Sequence, residues 1–382
     1  FTSPMNRTIT VLLLAVAALL VLGLSTLASI TMSRAESGST LIHPWLLKQA
    51  LACAVGFVGL TVAAMLDYRR LERWIWPGYG LTVVLLGLVL TPLGTNSKGA
   101  QRWLWGIQPS EFAKLVLVVA LAWFATRFRH RMTTFTGGIL GMGAIAFPIL
   151  ALVVIEPDKG TTLLLGAVTV ALMLVGGARW AHVMVPVVAG LAAFAALLAV
   201  PGYARDRVEA FLNPGDNKTL TFQVERGLDA FGAGGLHGTG FGLGLHKFRV
   251  PEVHTDFILP AVGEELGLPA TLGVVVAFVL ILFAGALIAH WASDGFGMLL
   301  AAGMTFTIGL QALVNLGVVT HLLPNKGMAL PFMSRGGTGT VVLLTMIGLL
   351  ISVARQAEER PAMAEAGGVR NPFGDTDTDF SE

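Results

Sequence analysis

The sequence predicts an all-α polytopic membrane protein, with ten transmembrane helices and a large extracytoplasmic loop between the seventh and the eighth. Three observations carry that prediction. Of the 382 residues, 54% are hydrophobic and only 13% charged, with a mean hydropathy of +0.74, whereas soluble domains carry roughly 25% charged residues. Apolar runs of about 18 residues or more recur along the chain, each long enough to cross a bilayer as a helix. The short alternating segments of a transmembrane β-barrel are missing.

The spans are expected at 9–32, 46–66, 75–94, 111–126, 136–155, 161–178, 180–200, 267–290, 296–320 and 337–355. The first run is longer than a signal-peptide core and has no convincing cleavage site, so it reads as a retained helix. The fourth follows QPSE, in which Ser110 after Pro109 suits a helix N-cap. The sixth and seventh meet at GGARW with almost no connecting loop. Residues 1–360 form one membrane domain in which 201–266 is the large loop. From Pro361 the sequence turns small and polar and reads as a disordered tail, 361–382.

Arginine clusters orient the spans. Arg69, Arg70 and Arg73 lie in one short connection, Arg127, Arg129 and Arg131 in another, and short loops rich in Lys and Arg stay in the cytoplasm. Both termini are then cytoplasmic and the large loop faces outward. A formal net charge of +2 gives no reason to expect nucleic acid. Cys53 is the single cysteine, which excludes an intramolecular disulfide.

The unusual polar residues gather in four outward segments. In KGAQRWLWGIQPSEFAKL, Glu111 and Lys114 lie three apart on one helical face and can pair, as a structural ion pair or as the lining of a polar cavity. In EPDKGTT, two acids and a lysine link two apolar runs, which is either an ordinary Pro-Gly turn or part of a site. The long loop carries an amphipathic stretch around TLTFQVERGLDAF and then GAGGLHGTGFGLGLHKF. Glycine-rich backbone can approach phosphates closely, but no GK[ST] follows, so a nucleotide P-loop is excluded. The loop runs into VPEVHTDFILPAVGEELG, where Thr255 can cap a helix starting at Asp256. Pro260 has no N–H, so the carbonyl of Asp256 loses its helical donor. A carboxylate at such an outer tip, beside apolar walls, can act as a base. The fourth segment, LPNKGMALPFMSRGGTGT, is broken by proline and glycine, which is tolerated at membrane depth only inside protein or along a wet cavity. Lys326 and Arg335, with Ser334 and Thr338 as donors, can join Arg102, Lys114 and Lys159 in a cationic pocket suited to a diphosphate.

Taken together, GAQRWL…IQPSEFAKL, EPDKGT, FLNP, GAGGLHGTGFGLG, VPEVHTDF…EELG and LPNKGMALPFMSRGG resemble, in order, the signature segments of the SEDS family (shape, elongation, division and sporulation). Its members include FtsW, RodA and SpoVE. HPWLLKQ, LDYRRLERW and LHKF are closer to the division-type member FtsW than to RodA. The resemblance implies a peptidoglycan glycosyltransferase of the bacterial cytoplasmic membrane that polymerises lipid II on the outer face. It also implies a class B penicillin-binding protein as transpeptidase partner.

Carried over residue by residue, the family pattern puts its essential acid at Asp256, its QPSE-x-x-K pair at Glu111 and Lys114, the preceding arginine at Arg102 and the turn aspartate at Asp158. Asp256 is then the expected catalytic base, and Arg102, Glu111, Lys114, Asp158, Lys326 and Ser334 the expected substrate-binding residues. The chain departs from the usual pattern at Glu156, Lys159, Pro260, Lys326 and RGGTG. A divalent cation, Mg2+ or Mn2+, could share the neutralisation of the diphosphate, though the sequence holds no compact ligand motif. Two other readings stay open: a transporter flipping a polyprenyl-linked sugar, and a scaffold that only recruits the transpeptidase. A transporter would place essential charges near midplane and show inverted repeats.

Overall fold

A computed structural model of the chain describes residues 4–32, 44–97, 100–199, 203–213 and 218–366. The described residues form twelve α-helices and one small hairpin: α1 Pro4–Met32, α2 Pro44–Met65, α3 Leu71–Val89, β1 Thr95–Ser97, β2 Ala100–Trp103, α4 Pro109–Arg127, α5 Gly141–Ile155, α6 Lys159–Val175, α7 Trp180–Ala199, α8 Tyr203–Leu212, α9 Lys218–Gly234, α10 Ile258–Trp291, α11 Gly295–Val319 and α12 Gly337–Ala366. Seven of them, α1, α2, α4, α5 with the π-turn Phe135–Leu140 before it, α10, α11 and α12, are long and apolar enough to cross a bilayer. The molecule is a helical, multi-pass membrane protein. The tail expected from Pro361 starts inside α12, which continues to Ala366; residues 367–382 lie outside the described residues.

Helices α4, α11 and α12 are the most buried. α2 lies along α12, and the contact is close because glycine lines it from both sides. A Cβ at Gly56 would lie 2.5 Å from Leu344, and one at Gly348 would lie 2.3 Å from the Leu60 carbonyl. Small residues permit such approach where no hydrophobic force drives helices together in lipid. At the end of the bundle holding the Arg69 cluster, Asp294 caps α11 through the Gly297 N–H at 2.7 Å. It also accepts from Arg69 at 2.8 Å and from the Tyr68 hydroxyl at 2.8 Å, tying the α2–α3 connection to the α10–α11 connection.

The opposite end carries the long connection. The amphipathic stretch around TLTFQVERGLDAF is α9, and YARDRVEAFL before it is α8. The helix expected from residue 267 begins nine residues earlier and is broken at Gly267, whose φ of 74° and ψ of −170° suit glycine alone. Breaking a helix orphans its last carbonyls. Here those of Glu264 and Glu265 accept the N–H groups of Thr239 at 2.8 Å and Gly240 at 3.0 Å. Three glycines of the loop, Gly234, Gly238 and Gly244, pack against residues 263–265: a Cβ at Gly238 would sit 2.3 Å from the Glu265 carbonyl. Phosphate approach is not what spaces them.

The two glutamates fasten the loop from inside. Both carboxylate oxygens of Glu264 accept backbone N–H groups, from His246 at 2.7 Å and Lys247 at 2.7 Å. Glu265 takes the Lys247 ammonium and the Ser29 hydroxyl of α1, and Lys247 is 0% exposed. These charges are structural: they hold the loop against α1 and α10.

Candidate active site

Asp256 sits in the turn preceding α10, between buried Val253 and buried Phe257. The helix does not start at Asp256 as expected, nor does Thr255 cap it. Phe257 is the N-cap residue, and the Thr255 hydroxyl bonds the Glu252 carbonyl at 3.1 Å instead. Pro260 then falls in the first turn, where a missing N–H costs nothing. The carbonyl of Asp256, left without a helical donor, accepts the side-chain N–H of Asn315 at 2.8 Å. The same Asn315 amide reaches the Met328 carbonyl at 2.6 Å, so one α11 side chain joins the HTDF turn to the broken segment 320–336.

That segment folds over Asp256. Gly327 has a φ of +57°, and a Cβ there would lie 2.9 Å from the Asp256 carboxylate. Glycine is needed for the backbone angle and for the space alike. Asn325 is held by the two loop helices, its carbonyl by Arg207 of α8 at 2.5 Å and its amide by Gln223 of α9 at 2.9 Å. Ser334 is buried, and its hydroxyl accepts the Leu330 N–H at 2.8 Å, closing a turn. Gln49 of α2 receives the Gly336 N–H at 3.2 Å and donates to Thr340 at 3.0 Å.

The expected Glu111–Lys114 pair forms, at 2.7 Å on the first turns of α4. Lys114 is only 2% exposed and also donates to Gln311 of α11 at 2.9 Å, whose amide in turn bonds the Ala329 carbonyl at 2.9 Å. The pair is therefore an internal brace for the 320–336 segment, set behind its wall. Gln108, not Ser110, is the N-cap residue of α4, with Pro109 at the first position.

Arg102 reaches the site because the hairpin turns it there. β1 and β2 pair with Asn96 opposite Gln101, and Gln101 bonds the Thr91 and Gly94 carbonyls at 2.7 and 2.9 Å. Alternation along the strand sends Arg102 the other way. Its guanidinium donates to the Pro157 carbonyl at 2.5 Å and the Glu156 carbonyl at 3.4 Å, and stands 3.9 Å from Asp158. Asp158 caps α6 through Thr161, N–H at 3.2 Å and hydroxyl at 3.0 Å. A Cβ at Gly160 would meet Met328, the Lys326 carbonyl and the Asp158 carboxylate within 4 Å, so the Arg102–Asp158 group adjoins the Asp256 group. Lys326 lies over the Phe194 ring at 5.4 Å, and burial holds its amine below the ordinary range.

Glu156 has no counterpart among these paired groups. It is 0% exposed and neither carboxylate oxygen has a hydrogen-bond partner. Burial first, and then the neighbouring Asp158 charge, push its pKa up to about 8, against the opposing pull of Arg102. Among the described residues no group of three or more His, Cys, Asp or Glu side chains could hold a metal ion.

Of the expected site residues, Arg102 and Asp158 stand together beside the Lys326 backbone, Asp256 lies under Gly327 of the same segment, Glu111 and Lys114 pair and brace that segment through Gln311, and Ser334 closes a turn in it. Gln49, Gln311 and Asn315 are further organisers that motif spacing did not single out. Gln311 and Asn315 lie four apart in an otherwise apolar run, which is the one signal the sequence offered for them.

These features define a class: a polytopic helical membrane protein whose polar residues gather at one end of the bundle, where a glycine of the broken segment 320–336 closes over the half-buried Asp256. Residues 10–359 match the family described as cell cycle protein, FtsW/RodA/SpoVE, and the chain belongs to that family. A curated relative from Geobacter metallireducens, named probable peptidoglycan glycosyltransferase FtsW, is 36% identical over 324 residues, covering 83% of this chain and 86% of the relative. Stage V sporulation protein E of Bacillus subtilis is 34% identical over 311 residues, covering 78% and 85%. Among solved structures, one reported as a peptidoglycan synthase complex coordinating polymerization and crosslinking matches with a TM-score of 0.75 at 27% identity, covering 91% of this chain and 97% of that one. The Thermus thermophilus rod shape determining protein RodA matches with a TM-score of 0.66 at 27% identity, covering 91% and 96%.

Proposed function

We propose that the chain is a peptidoglycan glycosyltransferase that polymerises lipid II into glycan strands at the outer face of the bacterial cytoplasmic membrane. In this reading it has ten spans, α1–α7 and α10–α12, with α8 and α9 in the outward loop and both termini cytoplasmic. Residues 1–360 act as one membrane domain. A class B penicillin-binding protein supplies the transpeptidase step.

One observation carries the mechanism: the Asp256 turn is fixed by Asn315 and Gly327 beside the Arg102–Asp158 and Lys326 groups. Glycosyl transfer from a lipid diphosphate needs the acceptor hydroxyl deprotonated and the departing diphosphate stabilised. Asp256 is the general base for the acceptor sugar's 4-hydroxyl, a contribution of typically 10²–10⁴-fold. Arg102 and Lys326 face the charge growing on the leaving diphosphate. Glu111, Lys114, Asp158 and Ser334 hold those groups in place from within the wall. The first turns of α4, α6 and α12 all end at the basin, adding the positive ends of three helix dipoles. Mg2+ or Mn2+ arriving on the diphosphate would find one protein carboxylate, Asp256, with phosphate and water oxygens completing its shell.

The test is purified protein with labelled lipid II and its partner. Asp256→Asn should insert, melt like the wild type and bind the partner, while glycan-chain formation falls by at least about 100-fold. Wild-type chain formation by Asp256→Asn would refute the base assignment. Chain formation by neither protein would remove the enzyme reading.

A further inference from the structure

The cations of the basin are not equally engaged. Lys114 is neutralised by Glu111, whereas Arg102, which meets two carbonyls and stands 3.9 Å from Asp158, and Lys326, over the Phe194 ring, lie together on the α6 side. Arg335 differs. Its backbone N–H bonds the His254 carbonyl at 2.9 Å, two residues from Asp256, and its guanidinium carbon lies over the Trp45 indole of α2, 4.4 Å from the ring centroid. Trp45 also stacks on the His254 ring at 4.6 Å and 27°. Among the described residues no carboxylate forms an ion pair with Arg335, and Glu252 acts on it only through its charge. Burial lowers its pKa, yet a guanidinium stays charged. A contact with the ring face does not use the N–H donors, so a half-buried cation is held beside Trp45 with donors to spare.

Its position is separate from that of Arg102. α2 packs against α12 and α1, whereas α6, which carries the Arg102–Asp158 group at its first turn, packs against α11, α5 and α4. The segment 320–336 runs between them, touching α6 at Lys326 and Met328 and α2 at Ser334 and Gly336. Asp256 therefore has a cation on the α6 side and another on the α2 side. A reaction joining two lipid-linked sugars holds two diphosphates at once, the donor's leaving beside the base and the acceptor's at the far end of its sugar unit, so they need separate cationic groups.

We propose that Arg335, oriented by Trp45 and His254, is a second phosphate-type anion site, which binds the diphosphate of one lipid-linked substrate while the Arg102–Lys326 side binds that of the other. This rests on the glycosyl-transfer reading above. A planar guanidinium with unused donors suits bidentate capture of phosphate oxygens.

The experiment uses full-length protein in nanodiscs of neutral lipid, with undecaprenyl diphosphate and lipid II as probes. Arg335→Gln should weaken saturation by undecaprenyl diphosphate about tenfold and raise KM for lipid II by a similar factor. kcat should stay within about threefold and the melting temperature should not move. Arg335→Lys, which keeps the charge but not the fork, should recover part of the loss, and Trp45→Leu should mimic Arg335→Gln in part. A headgroup origin is the competing source of the same chemistry. If Arg335→Gln changed the response to added phosphatidylglycerol but not to undecaprenyl diphosphate, the diphosphate assignment would be overturned. Equal KM and equal binding in wild type and Arg335→Gln would overturn the site itself while leaving the polymerase reading intact. A wild-type protein that neither binds nor polymerises would remove both.

Discussion

Glu156 shows how much one carboxyl can be bent by its surroundings. Sealed from water and next to Asp158, it titrates at about 8, so it is a neutral acid through the acidic and neutral range. In the unfolded chain an ordinary glutamate releases its proton near pH 4.3. Between these two values the folded protein binds the extra proton, so stability falls as pH rises from about 4.3 to about 8 and levels off beyond. Glu156→Gln removes that titration while keeping the shape. Its melting temperature should match the wild type near pH 4.5 and exceed it increasingly up to pH 8, and a gap that did not widen with pH would contradict the assignment. The carbonyl of the same residue supports Arg102, so the position is structural through its backbone and electrostatic through its side chain. Nothing in the letters EPD revealed this, because burial of the side chain depends on the partners it meets.

At the level of elements, the loop latch has the clearest energetic consequence. Lys247 enters the bundle from the glycine-rich loop and meets Glu265 of α10 and Ser29 of α1. A buried pair is not in itself a strong stabiliser, but removing one partner leaves an uncompensated buried charge costing about 3–5 kcal/mol. Lys247→Met should lower the melting temperature and expose the loop between α9 and α10 to limited proteolysis. Lys247→Met combined with Glu265→Leu should recover most of the loss. Equal loop protection in Lys247→Met and wild type would show that the latch is not what holds the loop. The acids of GEELG carry charge beside an apolar run, where it is costly. The structure places that cost in fixing a loop, and leaves Asp256, eleven residues before Gly267, in the turn that Asn315 and Gly327 hold.

For the molecule as a whole, orientation is the property that the arginine clusters foretell and that the fold leaves to experiment. The native Cys53 is buried, so Cys53→Ala gives a quiet background. Leu243→Cys, in the exposed part of the loop, should react with a membrane-impermeant maleimide in intact spheroplasts. Arg129→Cys, between α4 and α5, should react only after permeabilisation. The reverse pattern would invert the topology and put the basin on the side where no glycan strand is made.

Much of the architecture was legible before any coordinates, because lipid tolerates so few solutions. Backbone that cannot bond to water must be helical, and long apolar runs announce where those helices are. The order of the signature segments pointed to the family, and the spacing of Glu111 and Lys114 to their pairing. Local chemistry could not say that Asn315 would take the Asp256 carbonyl, that glycines around residue 238 were spaced to meet a broken helix at Gly267, or that Arg335 would lie over Trp45. Each of these joins residues dozens to hundreds apart, and such meetings are set by how helices stack, not by the chain near either partner. The sequence by itself determined a helical bundle in a membrane and the residues able to do chemistry there. Only the tertiary structure decided which of those charges are consumed in bracing the protein and which still face the basin, since a charge is available only when no neighbour has already answered it.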